Sequence, residues 1–452
     1  MNSWFHQHSF PRPRQDSRQQ RLLQPEEIWA ITREPMLRWP DVPCGELLAA
    51  PLMVEPEDPV LQELFGLTAR EQMAKAMISE DPYHGNYPPG GEMPVLVPGR
   101  IPLLTMPTGD VLSADVAGLT KNILVVGPTG GGKTNWLRVL IGAVISGNVK
   151  VTLIAFDRKG DLVDCKLLAN PSLPIVVLHW HELMLAMLQP VPGMALNVFI
   201  NVFVQLLAAH LNLFASRRLM LETMHLLYKR KRSSGVWPTL CEWIDLIDKI
   251  RANAASRLGQ YREALLYSLK QITNEFGNVV NYASSNFMEK LFKQHGCFVI
   301  NTSGLSVEMA SLLASLFVFW VYEKRGLPNT TVGHPVVFVL DDALPLVKGS
   351  TASESEGGIN PLSTWAFMGR SRGIGFVVSA QNFSLISPAL RNNADSLLCF
   401  GSYGRDAEEL GRHLNLTNEQ QALLPLLRPG ECVAIARSVW PLAVYGRVPE
   451  VL

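Results

Sequence analysis

Ile123-Leu124-Val125-Val126-Gly127-Pro128-Thr129-Gly130-Gly131-Gly132-Lys133-Thr134 decides how the chain is read. The four apolar residues predict a buried strand, the glycines a tight loop, and Asn135-Trp136-Leu137-Arg138-Val139-Leu140-Ile141 the opening of a helix. Strand, glycine loop and helix start, in that order, make a phosphate-binding loop. Glycines let successive backbone N–H groups curl around a polyphosphate at the positive end of a helix. Lys133 then reaches the β- and γ-phosphates, and the Thr134 hydroxyl ligates Mg²⁺. A nucleoside triphosphate, ATP with Mg²⁺, is the expected ligand, cradled by residues 127–134.

With 452 residues the chain exceeds one ordinary core, so a main domain with accessory parts is expected. Lys and Arg number 40 against 40 Asp and Glu, which argues against a histone-like binder and leaves any polyanion to local basic loops. Cys44, Cys165, Cys241, Cys297, Cys399 and Cys432 show no CxxC spacing, as expected of reduced thiols rather than a disulfide frame or zinc site. The apolar stretches at 198–213 and 309–322 fall short of the ~20 residues of a membrane span and read as core helices. Residues 1–21 mix His, Gln, Arg and Pro and read as a flexible basic arm rather than a signal segment, so the expected location is cytoplasmic.

Residues 22–90 read as a small N-terminal accessory segment of proline-broken helices, ending at the Pro- and Gly-rich break around 83–91. Beyond short β-like pieces at 94–97, 101–104 and 111–112, strand signals recur at 151–156, 175–179, 297–301, 336–340, 375–379, 397–400 and 432–435. Apolar strands alternating with helices predict an α/β fold on a mostly parallel sheet buried on both faces. Residues 91–195 and 293–452 would form the two parts of this core, and 196–292, with helical periodicity and little strand character, an inserted all-helical subdomain.

His334-Pro335-Val336-Val337-Phe338-Val339-Leu340-Asp341-Asp342 has the Walker B form, an apolar strand ending in carboxylates. Asp341 would anchor Mg²⁺, and Asp342 stands where hydrolytic ATPases usually carry a Glu that polarises water. Asp157, in Asp157-Arg158-Lys159-Gly160-Asp161, could by itself close a plain turn, but its place in the order of motifs favours a cofactor-binding residue that faces the γ-phosphate region. Gln381, at the tip of the strand after Gly369-Arg370-Ser371-Arg372-Gly373-Ile374, is placed to sense the γ-phosphate. Arg370 or Arg372 is either an arginine finger for a neighbour's site or a solvated turn charge. His179-Trp180-His181 lacks further ligands at metal spacing and reads as packing.

Together the phosphate loop, Asp157-Arg158-Lys159-Gly160-Asp161, Asp341-Asp342, Gly369-Arg370-Ser371-Arg372-Gly373-Ile374 with Gln381, and Arg428-Pro429-Gly430-Glu431 resemble the HerA/FtsK superfamily of pumping ATPases over roughly residues 90–450. The resemblance implies a RecA-like P-loop ATPase core, a homo-hexameric ring, ATP hydrolysis between subunits, and passage of double-stranded DNA. It also implies Lys133, Asp341, Asp342 and Gln381 as catalytic residues, with Arg370 or Arg372 acting in trans and Lys121 as a basic residue reaching across the interface. Asp342 in place of Glu departs from the family pattern, and the segment before residue 90 does not resemble the family's β-barrel or membrane helices.

Lys229-Arg230-Lys231-Arg232 is the strongest basic run, either a DNA contact or a helix end whose cations complement the dipole. The leading expectation is a DNA-translocating, helicase-like ATPase. The alternatives are a nucleotide-gated ring scaffold that activates a partner nuclease or effector, and a coupling ATPase of conjugation or secretion.

Overall fold

The computed structural model describes residues 81–87, 101–146, 150–162, 175–232, 235–328, 333–342, 365–366 and 368–448. The expected basic arm, nearly all of the accessory segment and the strand at 94–97 lie outside the described residues. Seven parallel strands carry the core: β3 (Ile123–Val126), β4 (Thr152–Asp157), β5 (Ile175–His179), β6 (Gly296–Asn301), β7 (Val336–Leu340), β8 (Ile374–Ala380) and β9 (Ser396–Cys399). Every residue of β3, β4, β7, β8 and β9 is buried, which is why their sequences are mainly apolar instead of alternating.

An antiparallel wing continues the sheet with β1 (Ile101–Thr105), β2 (Val111–Ala114), β10 (Glu431–Ala436) and β11 (Trp440–Arg447). Among the described residues the order is β2-β1-β11-β10-β9-β3-β8-β7-β4-β6-β5. Sequence signals do not mark β11, whose first residues Trp440-Pro441-Leu442 are half-exposed or exposed and break the apolar pattern.

Helix α1 (Lys133–Ser146) leaves the phosphate loop and packs Trp136 beneath β1, its indole N–H donating to the Pro102 carbonyl at 3.3 Å. Between β5 and β6 the chain forms α2 (Leu196–His210), α3 (Arg217–Lys231), α4 (Leu240–Asp248), α5 (Arg257–Phe276) and α6 (Phe287–Lys293). This helical layer meets the sheet through α7 (Val307–Arg325), where Phe319 lies 6.0 Å from Phe199 and 6.3 Å from Phe203 between ring centroids. With twelve buried residues over its length, α7 reads as the expected core helix, and among the described residues no helix is long and apolar enough to cross a membrane. After β8 come α8 (Pro388–Asn393), α9 (Gly404–Leu414) and α10 (Asn418–Leu423).

Residues 81–87, part of the stretch read as a break, are docked on the antiparallel wing. Tyr83 is fully buried, donates to the Gln420 carbonyl at 3.0 Å and stacks on Tyr445 at 6.3 Å. Gln420 donates back to the Pro82 carbonyl at 2.8 Å, and Trp440 donates to the Asn86 carbonyl at 2.7 Å.

Candidate functional site

Parallel strands present all their carboxyl ends along one edge, where open α/β sheets place their ligands. At that edge the loop after β3 takes backbone angles that side chains resist, with φ of 149° at Gly127, 80° at Gly130 and 119° at Gly132. Phe400, following β9, shapes the outer wall. A Cβ at Gly131 would lie 2.9 Å from its carbonyl oxygen, and one at Gly127 2.9 Å from its Cβ. The Gly430 N–H donates to the Gly131 carbonyl at 2.9 Å and ties the turn before β10 to the same loop.

Lys133, only 7 % exposed, folds back so that Nζ donates to the carbonyls of Gly127 at 2.7 Å and Pro128 at 2.9 Å. Burial lowers its pKa, and the carboxylates of Asp342 and Asp341 work against that shift. Thr134, half-buried, begins the same helix.

β7 pairs with both β4 and β8, so the turns after these three strands become neighbours. Asp341 is pushed above the usual carboxylate range by burial, and the adjacent Asp342 adds to the rise. Burial acts on Asp342 in the same direction, but the Lys159 ammonium reverses it and leaves the net shift downward. Lys159 Nζ stands 2.6 Å from Asp342 Oδ2, and Gln381 Nε2 donates to Oδ1 at 3.4 Å. The structure therefore brings Lys133, Asp341, Asp342 and Gln381 to one site and adds Lys159.

Asp157 is fully buried and spends its two oxygens on the N–H groups of Gly160 and Leu162, both at 2.9 Å. That is the turn-closing arrangement rather than the expected cofactor-binding one, because both oxygens are engaged by the loop's own backbone. Its effect is indirect: it shapes the loop that carries Lys159.

Arg370 and Arg372 lie before β8, at the opposite end of the sheet from Gln381, and a seven-residue strand is roughly 20 Å long. Neither reaches the phosphate loop of its own chain. Arg372 donates to the Tyr322 carbonyl at 2.6 Å and lies 3.7 Å over the Tyr322 ring, so it caps the end of α7. Arg370 is exposed. Lys121, before β3, is at this same far end and is half-buried.

In the basic run at the end of α3, Lys229, Arg230 and Arg232 are exposed while Lys231 pairs with Glu242 at the start of α4. His179 and His181 stack at 5.5 Å, and Trp180 donates to the Ser303 carbonyl at 3.0 Å.

Two contributors carry no mark of their role in the sequence. Lys159 stands in a string already singled out, but its partner emerges only once β4 and β7 are neighbours; Phe400 looks like one more core residue until the glycines are seen against it. The site as built fits a polyphosphate with a divalent cation: a glycine-only cradle, a lysine above it, a hydroxyl at the helix start and two carboxylates facing them.

Residues 109–318 match the model of a protein family described as the central domain of the helicase HerA. Among solved structures the chain is similar to VirB4 of Thermoanaerobacter pseudethanolicus, with a TM-score of 0.57 and 16% identity, covering 78% of this chain and 97% of that one. It is similar to the plasmid coupling protein TrwB in complex with the non-hydrolysable ATP analogue ADPNP, with a TM-score of 0.57 and 14% identity over 81% of this chain and 93% of that one. For TrwB in complex with ADP and Mg²⁺ the values are 0.53, 14%, 80% and 97%. No curated protein sequence matches the chain.

Proposed function

We propose that this chain is a P-loop ATPase of the HerA/FtsK superfamily and an ATP-driven motor, assembled as a ring of identical subunits, that moves double-stranded DNA. The observation that carries this reading is the convergence of the phosphate loop, Asp341, Asp342 and Gln381 at one sheet edge inside a HerA-type central domain. A hexamer is the expected ring.

ATP with Mg²⁺, when bound, supplies a phosphoryl group whose transfer to water releases the free energy that a motor converts. Lys133 exchanges the Gly127 and Pro128 carbonyls for phosphate oxygens, and Thr134 and Asp341 hold the cation. Asp342 accepts the proton of the attacking water, and the Gln381 amide hydrogen-bonds at the terminal phosphate. Arg370, exposed and remote from its own loop, serves the neighbouring subunit as the cation that offsets developing charge; Arg372, engaged by Tyr322, does not. Lys229, Arg230 and Arg232 offer phosphate-directed contacts to a duplex, which a ring multiplies.

One observation favours a second reading, a nucleotide-gated scaffold for an effector with slow turnover: Asp342 is short-armed and already ion-paired to Lys159. Turnover measured with and without duplex DNA separates the two. DNA-stimulated hydrolysis that disappears in Lys133→Ala supports the motor. ATP-dependent assembly with no turnover on DNA overturns it in favour of the scaffold.

A further inference from the structure

Lys133 and Lys159 reach one mouth from different strands, the first from the loop after β3 and the second from the loop after β4. Each is held by a partner that a ligand can replace: Lys133 by two loop carbonyls, Lys159 by Asp342 at 2.6 Å. The Lys159 side chain is 45% exposed and the Asp342 side chain 14%, so the lysine approaches from solvent and the carboxylate lies inside. An ion pair this open contributes little to stability and is easily exchanged for a stronger anion. Asp342 also adopts φ of 51°, which turns the residue out of the β7 line.

We propose that Lys159 is a γ-phosphate-binding residue that switches partners, leaving Asp342 for the terminal phosphate of a bound nucleoside triphosphate and so freeing the Asp342 carboxylate. A diphosphate lacks the group that competes for the ammonium, so the Lys159–Asp342 pair persists with it. The site thereby distinguishes the two nucleotides before any bond is broken. This rests on triphosphate binding at the loop and not on DNA movement.

The test is equilibrium binding of ADP and of a non-hydrolysable ATP analogue, both with Mg²⁺, to the full chain and its variants. Lys159→Ala is expected to weaken the analogue by about tenfold, the scale of one charge-assisted hydrogen bond, and to leave ADP within about twofold. Asp342→Asn removes the competing partner and is expected to tighten the analogue severalfold, with the gain abolished when Lys159→Ala is also present. Equal loss of both nucleotides in Lys159→Ala overturns the proposal. So does an Asp342→Asn gain of the same size in both backgrounds, which would mark simple relief of charge repulsion. Lys159→Gln, which keeps the stem, serves if Lys159→Ala does not fold. Lys133→Ala, expected to weaken both nucleotides, is the control for the loop itself. Wild-type protein that binds neither would sink the nucleotide reading as a whole, a result distinct from an unchanged ratio in the lysine variant.

Discussion

Asp342, at φ of 51°, holds its carboxylate between the Lys159 ammonium on one oxygen and the Gln381 amide on the other. Asp342→Glu would carry the carboxylate one methylene past both partners, and errors of about an ångström at a reacting centre cost up to ~100-fold. Steady-state hydrolysis by Asp342→Glu is expected to fall by roughly 10–100-fold; an increase would instead show that the native residue holds turnover down. The glycine wall behaves similarly: Gly131→Ala would drive a methyl into the Phe400 carbonyl, and nucleotide binding is expected to drop to the level of Lys133→Ala. Lys133, Thr134, Asp341 and Gln381 were legible because each sits on a local pattern of strand, turn or helix start. The Lys159–Asp342 pair was not, since it depends on which strands lie side by side, and the anchoring of Arg372 on Tyr322 was hidden for the same reason.

At the level of elements, the helical layer is set by its ends. Thr239 and Glu242 form a reciprocal cap at the start of α4, and Lys231 at the end of α3 pairs with the same glutamate. Thr239→Ala is expected to cost about 1 kcal/mol in chemical denaturation. Where α2 crosses α7, His210 Nε2 meets the Ser315 hydroxyl at 2.7 Å, and burial lowers the imidazole pKa to about 4. A histidine kept neutral in the fold titrates near 6.5 when unfolded, so its contribution is complete above pH 6.5 and is lost as pH falls toward 4. Unfolding free energy should therefore decline over that window by at most about 3 kcal/mol from this residue, and His210→Gln should flatten the decline. Gly375→Ala is a sharper test of packing, because its methyl would fall 1.9 Å from the Leu119 carbonyl; overpacking costs typically about 1–3 kcal/mol. The fully buried strands announced themselves as apolar runs, whereas β11, partly exposed and carrying Pro441, gave too little contrast to be seen.

For the molecule as a whole, the two ends of the parallel strands carry different equipment: the nucleotide site at one, Arg370 and Lys121 at the other. Sites that need both ends must be assembled from separate copies. Mixing Arg370→Ala with Lys133→Ala subunits is expected to restore part of the hydrolysis that each lacks alone, and no rescue at any ratio would remove Arg370 from the trans role. Alternation of strands and helices made the core legible from sequence, but the sequence offered no way to see that residues 81–87 are fastened to β11 and α10. That fastening has a mechanical corollary. Tension entering through Tyr83 is handed to β11 at Tyr445; Val448 just beyond this strand hydrogen-bonds Gly430, and Gly430 hydrogen-bonds Gly131. A pull on residues 81–87 would thus be felt, through a short relay of backbone hydrogen bonds, by the loop that carries Lys133.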